Sequence, residues 1–271
     1  MISAFIQYGL SRIHYRHFGN GAVRLVALHG YGESSSSFLF LEKYLDEKYQ
    51  LIAIDMPFHG LTQWNESRPF TCADITSILS EIFKEMGFPD TDLILIGYSM
   101  GGRLALSITQ QLPQKVSRVL LLAPDGLKVN FWYWLATQTL AGNRLFLFTM
   151  KNPRWFFRLI QTADRFSLIN KSIYKFMLPY IGDETARLEL YHRWTCMRTF
   201  KPNLEKIRTI IRERNIPVRM LYGKHDRIIL SKRAGHFYRD LERYCHLHVI
   251  DAGHNILQKK YADIITGLLT T

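Results

Sequence analysis

Residues 93–103 read LILIGYSMGGR, and this stretch decides the fold. Leu93 to Ile96 form an apolar run without alternation, the pattern of a strand buried on both faces. Gly97 ends the run. From Arg103 to Leu112 the pattern is helical, and Pro113 stops it. Between the two lies Gly97-Tyr98-Ser99-Met100-Gly101-Gly102. A serine between glycines at a strand-to-helix junction sits on a sharp turn, with glycines where a side chain would strike neighbouring backbone. The turn lifts the Ser99 hydroxyl above the C-terminal edge of the sheet. The helix that follows adds a field favourable to developing negative charge.

Outward from this point the same alternation recurs. Phe5–Gly9 and Arg12–Phe18 read as a hairpin-like start. Arg24–Leu28 stops at His29-Gly30, Tyr49–Ile54 at Asp55, and Val119–Leu122 at Ala123-Pro124. Val218–Tyr222 ends at Gly223, and His246–Ile250 at Asp251-Ala252-Gly253. Continuous apolar strands of this kind imply a parallel sheet covered by helices. The helices are expected over Ala73–Met86, with Gly87 as its stop, over Arg103–Leu112, and over Ile256–Leu269 at the end of the chain. Strand and helix in alternation make the fold class α/β.

Residues 127–215 break the alternation. They hold no convincing buried strand and are helical in tendency. They carry 16 of the 36 aromatic residues, including four of the five tryptophans, and a net charge of +10. This segment reads as an inserted helical cap, with 1–126 and 216–271 as the core. Its stretch FWYWLATQTLAGNRLFLF reads first as core or pocket wall, with Trp132 and Trp134 as candidate substrate contacts. Contact with a lipid surface is the other reading.

A serine hydroxyl is a weak nucleophile and needs a base. Of ten histidines, His254 stands just past the last apolar strand and before the last helix, at the same sheet edge as Ser99. His14 and His17 lie in the starting hairpin, and His246 and His248 within a strand. The base needs an orienting carboxylate. Asp226, in Gly223-Lys224-His225-Asp226, falls at that edge and gives the chain order Ser, Asp, His. Asp125 is the rival, since it follows the strand Val119–Leu122. The backbone amides of Tyr31 and Met100 are the expected oxyanion donors.

HGYGES at 29–34, DMPFHG at 55–60, GYSMGG at 97–102, GKHD at 223–226 and AGHN at 252–255 together resemble the α/β-hydrolase superfamily. The resemblance spans nearly the whole chain. It implies an eight-stranded, mostly parallel sheet with a cap inserted after the sixth strand. It also implies a serine hydrolase cleaving an ester or related acyl bond, without a cofactor. His59-Gly60 resembles the family's structural turn, and Leu61-Thr62 departs from the small residue and serine usual there. Haloalkane dehalogenases and epoxide hydrolases of this family carry an aspartate nucleophile, where this chain has Ser99. SMGGR and AGHN also resemble the menaquinone-pathway synthase that forms a succinyl-hydroxy-cyclohexadiene carboxylate. That likeness implies a lyase or carbon–carbon bond hydrolase as the alternative, with Arg103 binding an anionic substrate. A helix arginine paired with an acid is the plainer reading of Arg103.

Composition narrows the partners. The 271 residues carry 35 basic and 23 acidic side chains, a net charge of +12. Such a balance suits an anionic small molecule or surface, but no nucleic-acid recognition module is visible. Three scattered cysteines, Cys72, Cys196 and Cys245, exclude a disulfide framework and a cysteine zinc site. No leader pattern and no long apolar span are evident, which points to the cytoplasm. No CxxC pair, histidine cluster or GxGxxG suggests a metal or dinucleotide.

Overall fold

The computed structural model describes residues 1–89, 91–127, 131–165 and 183–270. The described residues form one eight-stranded sheet in the order β1-β2-β4-β3-β5-β6-β7-β8. The strands are β1 (Ile2–Tyr8), β2 (Ser11–Phe18), β3 (Val23–Leu28), β4 (Tyr49–Ile54), β5 (Leu93–Tyr98), β6 (Val116–Leu122), β7 (Val218–Gly223) and β8 (Cys245–Ile250). β1 pairs antiparallel with β2, and β2 with β4; every other pairing is parallel. Strands β4, β5 and β7 are buried along their whole length, as their unbroken apolar runs require.

From its unbroken run β8 is expected to be buried on both faces as well. It is not: His246, His248 and Val249 are exposed. Among the described residues β8 pairs only with β7 and stands at the end of the sheet. An outer strand is covered less than an inner one, whatever its apolar content.

The chain divides into two compact units, Met1–Lys128 with Thr199–Thr271, and Val129–Arg198. In the first unit a 3₁₀ helix spans Ser35–Lys43, α1 Cys72–Glu85 and α2 Met100–Gln111. The second unit holds α3 (Phe131–Gln138), α4 (Leu140–Lys151), α5 (Arg154–Arg165) and α6 (Glu184–Cys196). The chain then returns to the first unit for α7 (Leu204–Arg214), α8 (Lys232–Tyr238) and α9 (Ala262–Thr270). The sequence reading carries the insertion on to residue 215. In the structure α7 packs on α2 within the first unit.

Two helix starts differ from expectation. α2 begins at Met100, directly after Ser99. Gly101 and Gly102 have low helix propensity and hide that first turn from a pattern reading. The last helix begins at Ala262, after a 3₁₀ turn over Lys259–Tyr261. Ile256 and Leu257 are buried but lie in the preceding loop, so their spacing records burial and not helical hydrogen bonding.

The second unit is held by its own aromatic core. The Trp194 ring lies 5.1 Å from Tyr133 and 5.5 Å from Phe146, and Phe146 lies 5.4 Å from Tyr191. Asn143 ties three helices together. Its amide donates to Ala136 O and Thr195 Oγ1, and its oxygen accepts from Tyr191. Thr139 caps α4 through the Gly142 amide, and Asp183 caps α6 through that of Ala186.

In the first unit Asp74 fastens α1 to β1. It forms a capping box with Thr71 and accepts from the Tyr8 hydroxyl at 2.7 Å. Both terminal nitrogens of Arg68 donate to it, at 2.7 and 2.6 Å. Burial pushes the Asp74 carboxyl up, but Arg68, Thr71 and Tyr8 outweigh it and hold it far below the usual carboxylate range. Asp74→Asn is expected to cost about 2–4 kcal/mol of stability at neutral pH. A depressed carboxyl contributes fully above about pH 4, and the contribution is lost as the pH falls through the folded-state value. Denaturant curves of wild type and variant should therefore converge in acid. A gap independent of pH would mean that Asp74 acts through something other than its charge.

Candidate active site

Strand β5 delivers Tyr98 to the C-terminal edge of the sheet, between β3 and β6. The chain then reverses within one residue. Ser99 has φ +48° and ψ −112°, a sparsely populated conformation for a residue with a side chain. Its amide donates to Leu122 O at 2.9 Å, and its carbonyl accepts from Gly102 N and Asp125 N at 2.9 and 2.8 Å. The glycines are required by contact. A Cβ on Gly97 would lie 2.5 Å from Gly101 O, and one on Gly101 1.9 Å from Leu28 O.

His254 and Asp226 follow β8 and β7, which run parallel to β5 and so end at the same edge. His254 Nε2 lies 3.0 Å from Ser99 Oγ. His254 Nδ1 lies 2.7 Å from Asp226 Oδ2. The amides of Ile228 and Ile229 donate to the other carboxylate oxygen at 2.8 and 2.9 Å. The Asp226 side chain is fully buried, while that of His254 keeps 19% of its surface. Burial works against the Asp226 carboxylate, but the His254 hydrogen bond and the two amides outweigh it and hold the pKa below its ordinary value. An ionised Asp226 only accepts, so the imidazole proton is assigned to Nδ1. Nε2 then offers its lone pair to the Ser99 hydroxyl. Tyr98 supports the ring from one side at 5.7 Å and donates its hydroxyl to His254 O at 3.3 Å.

The rival Asp125 is engaged elsewhere. Its carboxylate accepts from Gly126 N at 2.7 Å and stands 3.7 Å from Arg103 Nε. Arg103 is a buried residue of α2, and this pairing is the plainer role read for it. Met100 is the first residue of α2, and Tyr31 sits in the Gly30–Ser35 loop with its ring edge-on to His59 at 5.8 Å. Trp132 and Trp134 lie on α3 of the second unit, both exposed, with the Phe131 ring 5.4 and 6.1 Å from theirs.

A pattern reading passes over the group that holds the Tyr31 loop. Asp55, at the end of β4, accepts from Ser35 N at 2.6 Å, Leu61 N at 2.8 Å and His14 Nδ1 at 2.7 Å. His14 Nε2 accepts from Ser3 Oγ at 2.7 Å, which completes a second serine–histidine–aspartate row. Burial opposes the Asp55 charge, and the amides of Ser35 and Leu61 with His14 more than offset it. The available signal is a carboxylate at a strand end, the same one that points to Asp226. Glu33 is a further carboxyl of the loop. Burial raises its pKa, partly countered by Gly30 N–H, Ser37 and the charge of His254.

A family model described as alpha/beta hydrolase fold matches residues 23–261. An uncharacterized hydrolase of Bacillus subtilis, YugF, is 24% identical over 257 residues, covering 92% of this chain and 89% of that one. A second Bacillus subtilis protein is named, provisionally, as a 2-succinyl-6-hydroxy-2,4-cyclohexadiene-1-carboxylate synthase. It is 38% identical over 104 residues, covering 38% of this chain and 36% of its own. Among solved structures, a thermophilic esterase from Thermogutta terrifontis superposes with a TM-score of 0.71 at 13% identity. The match covers all of this chain and 97% of the esterase.

The contact at Gly101 gives a direct test of the turn. Gly101→Ala should cost more than about 3 kcal/mol, since the atom in the way is backbone. Gly267, an exposed position of α9 where a Cβ meets nothing within 4 Å, is the control. Gly267→Ala should stabilise by about 0.5–1 kcal/mol. Thermal melts of the two variants check both signs, and a neutral Gly101→Ala would refute the packing described.

Proposed function

The chain belongs to the α/β-hydrolase fold family, and on that footing we propose that it is a serine hydrolase cleaving an ester or related acyl bond of a small molecule. One observation carries the reading: the row Ser99, His254 and Asp226, linked at 3.0 and 2.7 Å on three loops of one sheet edge. Ser99 Oγ attacks the acyl carbon and its proton passes to His254 Nε2. The Met100 and Tyr31 amides hold the oxyanion. His254 returns the proton to the departing alcohol, which leaves an acyl group on Ser99. Water then gives a proton to His254 and attacks the acyl carbon. The acid departs, and the proton returns to Ser99. Asp226, held ionised, keeps the imidazole in the Nδ1–H tautomer and balances the imidazolium formed in each half. The helical insertion between β6 and β7 is assigned the part of a cap that selects the substrate. The positive balance of the chain favours an anionic acyl substrate over an amine.

A fluorophosphonate probe tests the nucleophile. Wild type should label stoichiometrically, and Ser99→Ala should not. With an activated ester, Ser99→Ala or His254→Ala should lower kcat by about 10⁶-fold with little change in KM. Turnover that survives Ser99→Ala would end the proposal.

One observation favours a second reading. The identity to the synthase-like relative is concentrated in 104 residues, and the buried Arg103 stands four residues beyond Ser99. A lyase or carbon–carbon hydrolase would use the same three residues to move protons. Arg103→Ala should then raise KM for a carboxylate-rich diene by about tenfold or more. An unchanged KM would leave the ester reading alone.

A further inference from the structure

Among the described residues of the second unit, two sets of large apolar side chains stand apart. Tyr133, Phe146, Tyr191 and Trp194 pack on one another and hold the unit together. The other set points outward. On α4, Leu140 is 81% exposed, and Leu145 and Phe148 are more than half exposed. On α5, Trp155 and Leu159 are exposed too. Met150, on the other side of α4 from Leu140 and Phe148, is buried. The usual arrangement of a surface helix is therefore reversed in part, with large apolar side chains on its solvent side.

The cations share that side. On α4, Arg144 and Lys151 stand at helical spacing with Leu140 and Phe148, and all are exposed. On α5, Arg154 and Arg158 are exposed beside Trp155 and Leu159. No aspartate or glutamate occurs anywhere in residues 127–163. An ordinary solvated helix mixes both signs of charge. A face of Leu, Phe and Trp interleaved with Arg and Lys, and lacking acids, matches the interface of an anionic bilayer. There the apolar groups enter the headgroup–acyl boundary and the cations meet lipid phosphates.

We propose that the exposed faces of α4 and of α5 dock on an anionic phospholipid membrane. The charge decides between occupants. A second copy would bring the same cations against themselves, and among the described residues of this face no acid balances them. The binding does not depend on Ser99, so it stands or falls separately from the hydrolase reading.

Vesicle co-sedimentation tests it with the full chain. Wild type and Ser99→Ala should pellet equally with vesicles of phosphatidylcholine containing phosphatidylglycerol. Both should bind far less to pure phosphatidylcholine, and high salt should release them. Arg144→Gln with Arg158→Gln should weaken binding by roughly fivefold per cation removed. Phe148→Ser with Trp155→Ser should weaken it at least as much. A second pair, Lys151→Gln with Arg154→Gln, guards against a variant that fails to fold, and circular dichroism checks each. No binding by wild type to the anionic vesicles, or binding undiminished in every folded variant, would overturn the proposal. So would a vesicle-free oligomer that Phe148→Ser with Trp155→Ser dissociates, since the face would then serve copies of this chain.

Discussion

Between the Leu28 carbonyl on β3 and the first turn of α2 there is no space for a side chain. A Cβ on Gly101 would sit 1.9 Å from that oxygen, and one on Gly102 2.4 Å from the Pro124 Cβ. α2 therefore rests its first turn directly on backbone, and the chain must reverse between β5 and α2 within one residue. That residue is Ser99, and its conformation costs about 1–3 kcal/mol. The hydrogen bonds at its own amide and carbonyl help to offset the cost. The projection of the hydroxyl and its meeting with His254 follow from this one close approach. The remaining requirement is that β7 and β8 run parallel to β5, which sends their loops to the same edge.

The loops themselves are held by carboxylates that stay charged although buried. Asp226 keeps its charge because a ring nitrogen and two amides converge on it. Asp55 keeps its charge in the same way and ties the Tyr31 loop to β2 and to the Gly60–Leu61 turn. Replacing either by an apolar side chain would leave buried amides without an acceptor. Electrostatics and loop shape are thus one property in this unit.

The sheet was legible because apolar runs bounded by turn residues register burial directly, and six parallel strands each had such a run. Ser99, His254 and Asp226 were legible for a related reason: each follows the end of a strand, and parallel strands share an edge. β8 misled because composition does not reveal which strand lies outermost. The α2 start was obscured by the two glycines that the contact at Leu28 demands. The His14–Asp55 bond joins residues 41 apart on neighbouring strands. Its histidine sat in an alternating strand, where a polar side chain is ordinary. Among the described residues of the second unit, Phe and Trp occur both packed on one another and exposed, and sequence alone does not separate the two.

The molecule holds the same three residue types in a hydrogen-bonded row twice. Ser3, His14 and Asp55 are joined at 2.7 and 2.7 Å, as tightly as Ser99, His254 and Asp226. The surroundings differ. Ser3 lies in a regular antiparallel strand opposite Arg16, and His14 is wholly buried. Ser99 lies on a strained turn at the start of a helix, with the partly exposed His254 beside it. A template built from three side chains would return two sites here. What separates them is main chain: Ser99 stands at positive φ on a turn that presents its oxygen, whereas Ser3 stands in a regular strand. In this fold the side-chain row is the easily duplicated part, and the reversal of the chain is the scarce one.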